Sequence, residues 1–202
     1  MIRAIIFDIG GVLIEDPKEK MYDFFSDQLH VDREKFSQAN LALEPMHQKG
    51  ELSETEYWEK MKQSLSYTKT IDSSLWLEAF LSTNTEFNPR IMQVVKRLKK
   101  HGIATALLSN TEQPIADFLR KEYGHEFVFC IFSCEQHAVK PDRKIYLDAI
   151  EMMHIHPEEA IMIDDKEENI QAAEQIGVKG ILFTPKTNLV AELKKYDTPL
   201  IF

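Results

Sequence analysis

The stretch Met1-Ile-Arg-Ala-Ile-Ile-Phe-Asp-Ile-Gly-Gly-Val-Leu-Ile14 decides the fold class of this chain. An apolar strand, Ala4–Phe7, runs directly into Asp8 and then into Gly10 and Gly11. An unpartnered carboxylate at the end of a buried strand is costly to desolvate. In α/β proteins this end of the strand opens onto the ligand crevice. Asp8 is therefore predicted to be a metal ligand, a nucleophile or both; the alternative is a carboxylate that caps a turn bent by the two glycines.

Apolar strands and helical patterns alternate along most of the chain. The predicted strands are Ala4–Phe7, Ala104–Leu108, Phe127–Phe132, Ala160–Ile163 and Gly180–Phe183. Helical patterns lie between them at about 90–101, 114–122, 143–154, 167–176 and 186–195. This alternation is typical of an α/β fold with a doubly wound, Rossmann-like parallel sheet and helices on both faces.

The segment after the first strand breaks this alternation and reads as helical throughout. Its four predicted helices cover roughly residues 18–30, 32–44, 53–66 and 73–82. The third begins at a capping box formed by Ser53 and Glu56. We therefore predict a core domain of residues 1–14 and 89–202 and an inserted helical cap domain of residues 15–88. The insert either closes over the site or packs beside it without a role there.

Composition and charge exclude several classes of function. The 202 residues carry a formal net charge of −9, which argues against a nucleic-acid partner. No apolar run approaches the ~20 residues of a membrane span, and no secretory signal is recognisable. The two cysteines, Cys130 and Cys134, are predicted to be buried free thiols, and the scattered histidines argue against zinc. We expect a cytoplasmic protein that is monomeric or homodimeric.

Polar clusters follow the second and third predicted strands. Ser109, Asn110 and Thr111 offer a hydroxyl, an amide and backbone N–H groups that can hold phosphate oxygens. The same three residues are also common helix caps. Lys140 precedes Pro141, which suits a first helical turn. At that position Lys140 either neutralises a phosphate and a carboxylate together or is an ordinary solvated lysine.

Two adjacent carboxylates, Asp164 and Asp165, follow the fourth predicted strand. Such a pair is repulsive unless a cation lies between its members. Asn169, one helical turn further on, can orient a carboxylate or a water at a metal. One of the two aspartates could instead cap the following helix, which leaves the other unexplained. The pair therefore predicts a site for a divalent cation.

In chain order, Asp8, Ser109, Lys140 and the pair Asp164-Asp165 resemble the four motifs of the haloacid dehalogenase superfamily of hydrolases. The resemblance covers nearly the whole chain, and the helical insert looks like the C1-type cap of its subfamily IA. Several stretches are similar to the subgroup that includes bacterial glucose-1-phosphate phosphatases. These stretches are Phe7–Ile14, Lys49–Ser53, Leu108–Thr111 and Lys140–Asp142.

The resemblance implies a Mg²⁺-dependent phosphatase of small phosphorylated metabolites, among them sugar phosphates such as glucose 1-phosphate. It implies an aspartyl-phosphate intermediate on Asp8, with Lys140 offsetting negative charge. The implied Mg²⁺ ligands are Asp8, the Gly10 carbonyl, Asp164 and Asp165, of which Asp165 is the more direct of the acidic pair. The implied substrate-binding residues are Ser109, Asn110, Gly11 and His47.

The chain departs from the family pattern at Gly10. Phosphatases of this superfamily usually carry a second Asp there, as general acid and base. Its absence leaves three outcomes: substrates with good leaving groups, a substitute acid from the cap (His47, Glu44 or Glu15), or a catalytically weak module that binds a ligand or partner. A fourth is a hydrolytic 2-haloacid dehalogenase, whose relatives also lack the second Asp and use no Mg²⁺. The pair Asp164-Asp165 argues against that reading.

Overall fold

A parallel five-stranded sheet forms the centre of the structure, a computed structural model that describes residues 1–196 and 198. Its strands are β1 Ala4–Phe7, β2 Ala104–Ser109, β3 Phe129–Phe132, β4 Ala160–Asp164 and β5 Lys179–Leu182, in the order β3-β2-β1-β4-β5. The first strand is central and pairs with β2 on one side and β4 on the other. The predicted doubly wound, Rossmann-like core is therefore confirmed.

Ten helices surround this sheet in the described residues. They are α1 Lys18–Leu29, α2 Arg33–Gln48, α3 Glu54–Leu65, α4 Leu75–Leu81, α5 Pro89–Lys100, α6 Gln113–Tyr123, α7 Ser133–Gln136, α8 Arg143–Met153, α9 Glu167–Glu174 and α10 Leu189–Lys194. Successive residues of a strand point to opposite faces of a sheet. Accordingly Ile5 joins the apolar cluster that contains α5 and α6, whereas Ile6 joins the cluster that contains α8 and α9. Both faces of the sheet are thus buried under helices.

Helices α1–α4 form the predicted all-helical insertion between β1 and β2. The capping box at the start of α3 is present: Ser53 Oγ accepts from Glu56 N, and Glu56 Oε2 accepts from Ser53 N at 2.9 Å. Helix α4 packs against α6, and α2 packs against α7, so the insertion lies on the core. The division into separate core and cap domains stays a prediction.

Some predicted element boundaries were wrong. Helix α2 continues through Pro45 to Gln48, one turn beyond the predicted end, because that turn buries His47 against Tyr57 and Trp76. Pro141 precedes the first turn of α8 instead of lying in it, since Asp142 is the N-cap and accepts from the Lys144 backbone at 3.0 Å.

The state of the two cysteines and the character of the helices can be compared with the predictions of buried free thiols and of no membrane span. Both cysteines are free, as predicted, but only Cys134 is buried, whereas Cys130 is partly exposed. Burial raises the pKa of the Cys134 thiol to about 12. Among the residues that the structure describes, no helix has the length and apolar character that crossing a membrane requires.

Candidate active site

Asp8 lies at the carboxyl end of the central strand, where the ends of β2 and β4 flank it. Its backbone N–H continues the sheet by donating to the Ile163 carbonyl at 2.9 Å. Oδ1 of Asp8 accepts from the Ile9 N–H at 2.7 Å and lies 2.7 Å from Lys140 Nζ. No hydrogen bond from the described part of the chain reaches Oδ2. The carboxylate is therefore held by one oxygen, and the other is available to a ligand.

Lys140 places a buried ammonium group between two carboxylates. Its Nζ lies 2.7 Å from Asp8 Oδ1 and 2.7 Å from Asp164 Oδ2. The backbone of Lys140 is fixed by the side chain of Asn110, whose Oδ1 accepts from Lys140 N at 2.7 Å and whose Nδ2 donates to Lys140 O at 2.9 Å. The Asn110 amide thus links the loop after β2 to the loop before α8 and aims Lys140 at Asp8.

The two adjacent aspartates at the end of β4 have different surroundings. Asp164 is fully buried, and its Oδ1 accepts from Lys166 N and Asn169 Nδ2, each at 2.9 Å. Asp165 Oδ1 is also buried but has no hydrogen-bond partner. One oxygen from each of Asp8, Asp164 and Asp165 lies within 4.8 Å of the other two. Oxygen-only donors with one buried, unsatisfied carboxylate oxygen fit a hard divalent cation such as Mg²⁺.

The glycines after Asp8 differ in what surrounds them. Gly11 has a φ of 76°, and a Cβ there would overlap the Oδ2 atom of Asp165. Only glycine therefore lets this turn pack directly against Asp165. At Gly10 the nearest atom to an added Cβ is Pro17 Cδ at 3.7 Å, so a Cβ would fit.

The electrostatics of this cluster favour a bound cation. Burial raises the pKa of Asp8 to about 7; the Lys140 ammonium opposes this shift, and the Asp164 carboxylate adds to it. Burial and the neighbouring Asp164 also raise the pKa of Asp165. Burial alone would lower the pKa of Lys140, yet the two carboxylates raise it overall. The Lys140 ammonium contacts Asp8 and Asp164 but is not shown in contact with Asp165. The raised pKa of Asp165 persists although the Lys166 ammonium opposes it, so the cluster retains negative charge that a cation could neutralise.

A cavity of about 240 Å³ opens from this cluster toward the helical insertion. Five residues predicted for the site line it: Asp8, Gly10, Ser109, Asn110 and Lys140. The insertion contributes polar and apolar side chains to the opposite wall. These include Lys18, Tyr22, Phe25, Asn40, Glu44 and Trp76.

The structure does not bring His47 to the wall of this cavity. His47 is 2 % exposed and stacks on Tyr57 with ring centroids 4.3 Å apart. Its Nε2 lies 2.7 Å from Glu54 Oε1. A contact between His47 and substrate therefore has no support in these distances and stays a prediction. Glu15, another candidate for the acid, is exposed and paired with Lys20 at 2.8 Å.

One cavity-lining residue, Glu112, was missed by the sequence reasoning. It is 4 % exposed and occupies the N-cap position of α6, but its side chain makes no capping hydrogen bond. Burial raises its pKa, and the facing His47 lowers it in part. The available signal was a Glu at a helix start where Ser, Thr, Asp or Asn is usual, three residues after Ser109.

Comparison with known proteins gives a family and a fold. A family model described as a hydrolase, haloacid dehalogenase-like hydrolase, matches residues 2–177. The bifunctional epoxide hydrolase 2 of Rattus norvegicus is 27 % identical over 114 residues, which are 54 % of this chain and 21 % of that protein. The sesquiterpene phosphatase astK of Aspergillus oryzae is 24 % identical over 202 residues, covering 96 % of this chain and 95 % of its own. The chain spans about a fifth of the length of the first curated relatives it matches.

A solved structure extends the similarity to three dimensions. The HAD family enzyme bt-2542 of Bacteroides thetaiotaomicron, in complex with magnesium and inorganic phosphate, superposes with a TM-score of 0.74 at 23 % identity. The match covers 93 % of this chain and 96 % of that chain. At this identity the likeness shows a shared fold.

Proposed function

Because the chain belongs to the haloacid dehalogenase-like hydrolase family, we propose that it is a Mg²⁺-dependent phosphatase that hydrolyses small phosphorylated metabolites through an aspartyl-phosphate on Asp8. The carboxylate oxygens of Asp8, Asp164 and Asp165 within 4.8 Å of one another carry this proposal. A phosphatase among the relatives that match over nearly the whole chain supports it. So do the magnesium and phosphate in the complex of the similar fold.

The proposed cation is held by Asp8 and Asp165, together with the carbonyl oxygen of Gly10. The buried Oδ1 of Asp165 supports this assignment because it lacks any other partner. Asp164 is assigned a positioning role, since Lys140, Lys166 and Asn169 already occupy its oxygens. When bound, Mg²⁺ supplies positive charge that offsets the charge of the transferred phosphoryl group.

The chain's own residues divide the reaction into two displacements. Oδ2 of Asp8 forms a bond to phosphorus as the bond from phosphorus to the leaving oxygen breaks, which gives an aspartyl-phosphate and the alkoxide of the leaving group; this alkoxide takes up a proton to become the free alcohol. Water then attacks the phosphoryl group and regenerates the Asp8 carboxylate and inorganic phosphate. Lys140 stabilises the charge on Asp8, and the Ser109 hydroxyl with adjacent backbone N–H groups binds the phosphoryl oxygens.

Sugar phosphates such as glucose 1-phosphate are the substrate class within this proposal. Polar side chains of the insertion face the cavity, including Lys18, Asn40 and Glu44. The anomeric alkoxide is also a less basic leaving group, which suits a turn that carries glycine at position 10. We assign residues 15–88 the role of a cap that excludes water during the reaction. The proposal places the protein in the cytoplasm, as a monomer or homodimer, with no nucleic-acid or membrane partner.

One substrate panel tests this function. Sugar phosphates, nucleotides and 2-haloacids are incubated with Mg²⁺ or with a chelator, and phosphate and halide release are measured. Phosphate release that requires Mg²⁺ is the expected result. Halide release in the presence of chelator would instead identify a dehalogenase. No turnover on the whole panel, together with a bound partner, would identify a binding module.

A further inference from the structure

The proposed reaction needs a proton donor that the turn after Asp8 does not contain. When the bond between phosphorus and the leaving oxygen breaks, an alkoxide forms unless a proton is supplied. General acid catalysis contributes about 10²–10⁴ in rate to such steps. The three residues that follow Asp8 are Ile9, Gly10 and Gly11, none of which has a titratable side chain.

Four carboxyl groups line the cavity: those of Asp8, Asp16, Glu44 and Glu112. Asp8 is the proposed nucleophile. Asp16 is exposed and accepts from Lys18 N at 3.0 Å. Glu44 is ion-paired with Lys18 Nζ at 2.9 Å. Glu112 alone among these four is buried without a salt bridge or a helix-capping bond within the described residues.

The surroundings of Glu112 suit a carboxylic acid that holds a proton. Charged and polar groups face it from four helices of the insertion and the core. They are His47 and Glu44 on α2, Tyr57 on α3, Trp76 on α4 and Cys134 on α7. Burial raises the pKa of Glu112 and Glu44 adds to this shift, whereas His47 and Trp76 oppose it. Glu112 lies three residues after Ser109 in the chain. It therefore belongs to the same segment that is proposed to bind the phosphoryl group.

We propose that Glu112 is a catalytic residue, the general acid and base that serves this site in place of an acid at position 10. This inference rests on the proposed phosphatase function. In the first step the Glu112 carboxyl gives its proton to the leaving oxygen as the Asp8 oxygen bonds to phosphorus. In the second step the Glu112 carboxylate takes a proton from the attacking water as the bond from phosphorus to Asp8 breaks. Glu112 ends the cycle protonated, as it began. The cycle consumes only the phosphate ester and one water molecule.

The test compares two classes of leaving group, aryl and alkyl, in two variants. Glu112→Gln keeps the size and the burial but has no proton to give, and Glu122→Gln makes the same change at an exposed site on the same helix, α6. Kinetic constants are measured with p-nitrophenyl phosphate, whose leaving group needs no proton, and with glucose 6-phosphate and glycerol 3-phosphate, whose leaving groups do. Thermal unfolding of each variant shows that it is folded.

We expect Glu112→Gln to lower kcat for the alkyl phosphates by about 10²–10⁴ and for p-nitrophenyl phosphate by less than about tenfold, with Glu122→Gln unchanged. An equal loss on both classes would show a structural role and overturn the assignment. So would full activity of the variant, or a wild type that hydrolyses p-nitrophenyl phosphate but neither alkyl ester. A wild type that releases no phosphate from these three esters or from glucose 1-phosphate and the rest of the substrate panel would refute the phosphatase function itself, and the assignment with it. If Glu112→Gln does not fold, Glu112→Asp replaces it; because Asp keeps a carboxyl group that is one methylene further from the substrate, a smaller loss is expected, still larger for the alkyl phosphates than for p-nitrophenyl phosphate.

Discussion

Asp164 and Asp165 are neighbours in the chain, yet their carboxylates have opposite hydrogen-bonding states. Asp164 accepts from Lys140, Lys166 and Asn169, whereas the buried Oδ1 of Asp165 accepts from nothing within the described residues. Buried carboxylate oxygens seldom go unpaired in folded proteins. Asp164 thus holds the Lys140 ammonium, and the Oδ1 atom of Asp165 is available to bind a cation.

Replacing Asp165 with Asn should change Mg²⁺ affinity and the stability of the metal-free protein in opposite directions. We expect Asp165→Asn to weaken Mg²⁺ binding by at least about tenfold, measured by titration calorimetry. Burial and Asp164 raise the pKa of Asp165, so the metal-free variant should unfold at a higher temperature than the wild type. Equal Mg²⁺ affinity in the variant and the wild type would rule out Asp165 as a ligand.

Lys140→Met should destabilise the protein in a pH-dependent manner. Removing the ammonium leaves Asp8 and Asp164 as buried carboxylates without a cation, which costs about 3–5 kcal/mol for a buried pair. Because the pKa of Asp8 is raised to about 7, Asp8 is protonated at acidic pH and the repulsion is then smaller. Urea unfolding should therefore show a larger loss at about pH 8 than at about pH 5. The exposed Lys121→Met is the control, and a loss independent of pH would contradict this account.

Alanine at the two adjacent glycines should have different effects. Gly11→Ala places a Cβ against Asp165 Oδ2 at a φ of 76°, so it should displace Asp165 and weaken Mg²⁺ binding. Gly10→Ala meets only Pro17 Cδ at 3.7 Å and should retain near-wild-type affinity. For the same reason Gly10→Asp should fold, and in the Glu112→Gln background it should restore hydrolysis of alkyl phosphates more than that of aryl phosphates. Matching Mg²⁺ affinities for the two alanine variants would show that the turn does not support the site.

Mg²⁺ binding should weaken as the pH falls through the neutral range. Burial raises the pKa of Asp8 to about 7, so below that pH the cation must displace a proton from this carboxyl group. Calorimetry in buffers of different ionisation enthalpy should detect proton release near neutral pH and less of it at about pH 9. An affinity that stays constant across this range would show that Asp8 is not a ligand.

The sheet could be predicted from the sequence because its strands are short, apolar and separated by amphipathic helices. Ala4–Phe7 is recovered to the residue. Errors arose where tertiary contacts override local signals. Pro45 predicts a helix end, yet the burial of His47 carries α2 a further turn. The four-residue helix α7 is too short to leave a periodic pattern.

The site could be predicted in part, since Asp8 follows β1, Ser109 and Asp164 are the last residues of β2 and β4, and parallel strands end at one edge of a sheet. The sequence could not show which polar atoms of the site already have hydrogen-bond or ion-pair partners within the protein. That Asn110 holds the Lys140 backbone, that His47 turns toward Glu54 and that Glu112 lines the cavity all depend on packing between segments distant in the chain.

The most direct test of the account is to trap the covalent intermediate on Asp8. Wild type and Asp8→Asn are mixed with p-nitrophenyl phosphate and Mg²⁺ and quenched in acid, and the peptide that contains residue 8 is analysed by mass spectrometry. The account predicts a phosphorylated peptide in the wild type, none in the variant, and no phosphate release by the folded variant. Mg²⁺-dependent turnover by Asp8→Asn, or a phosphoryl group on a different residue of the wild type, would contradict it.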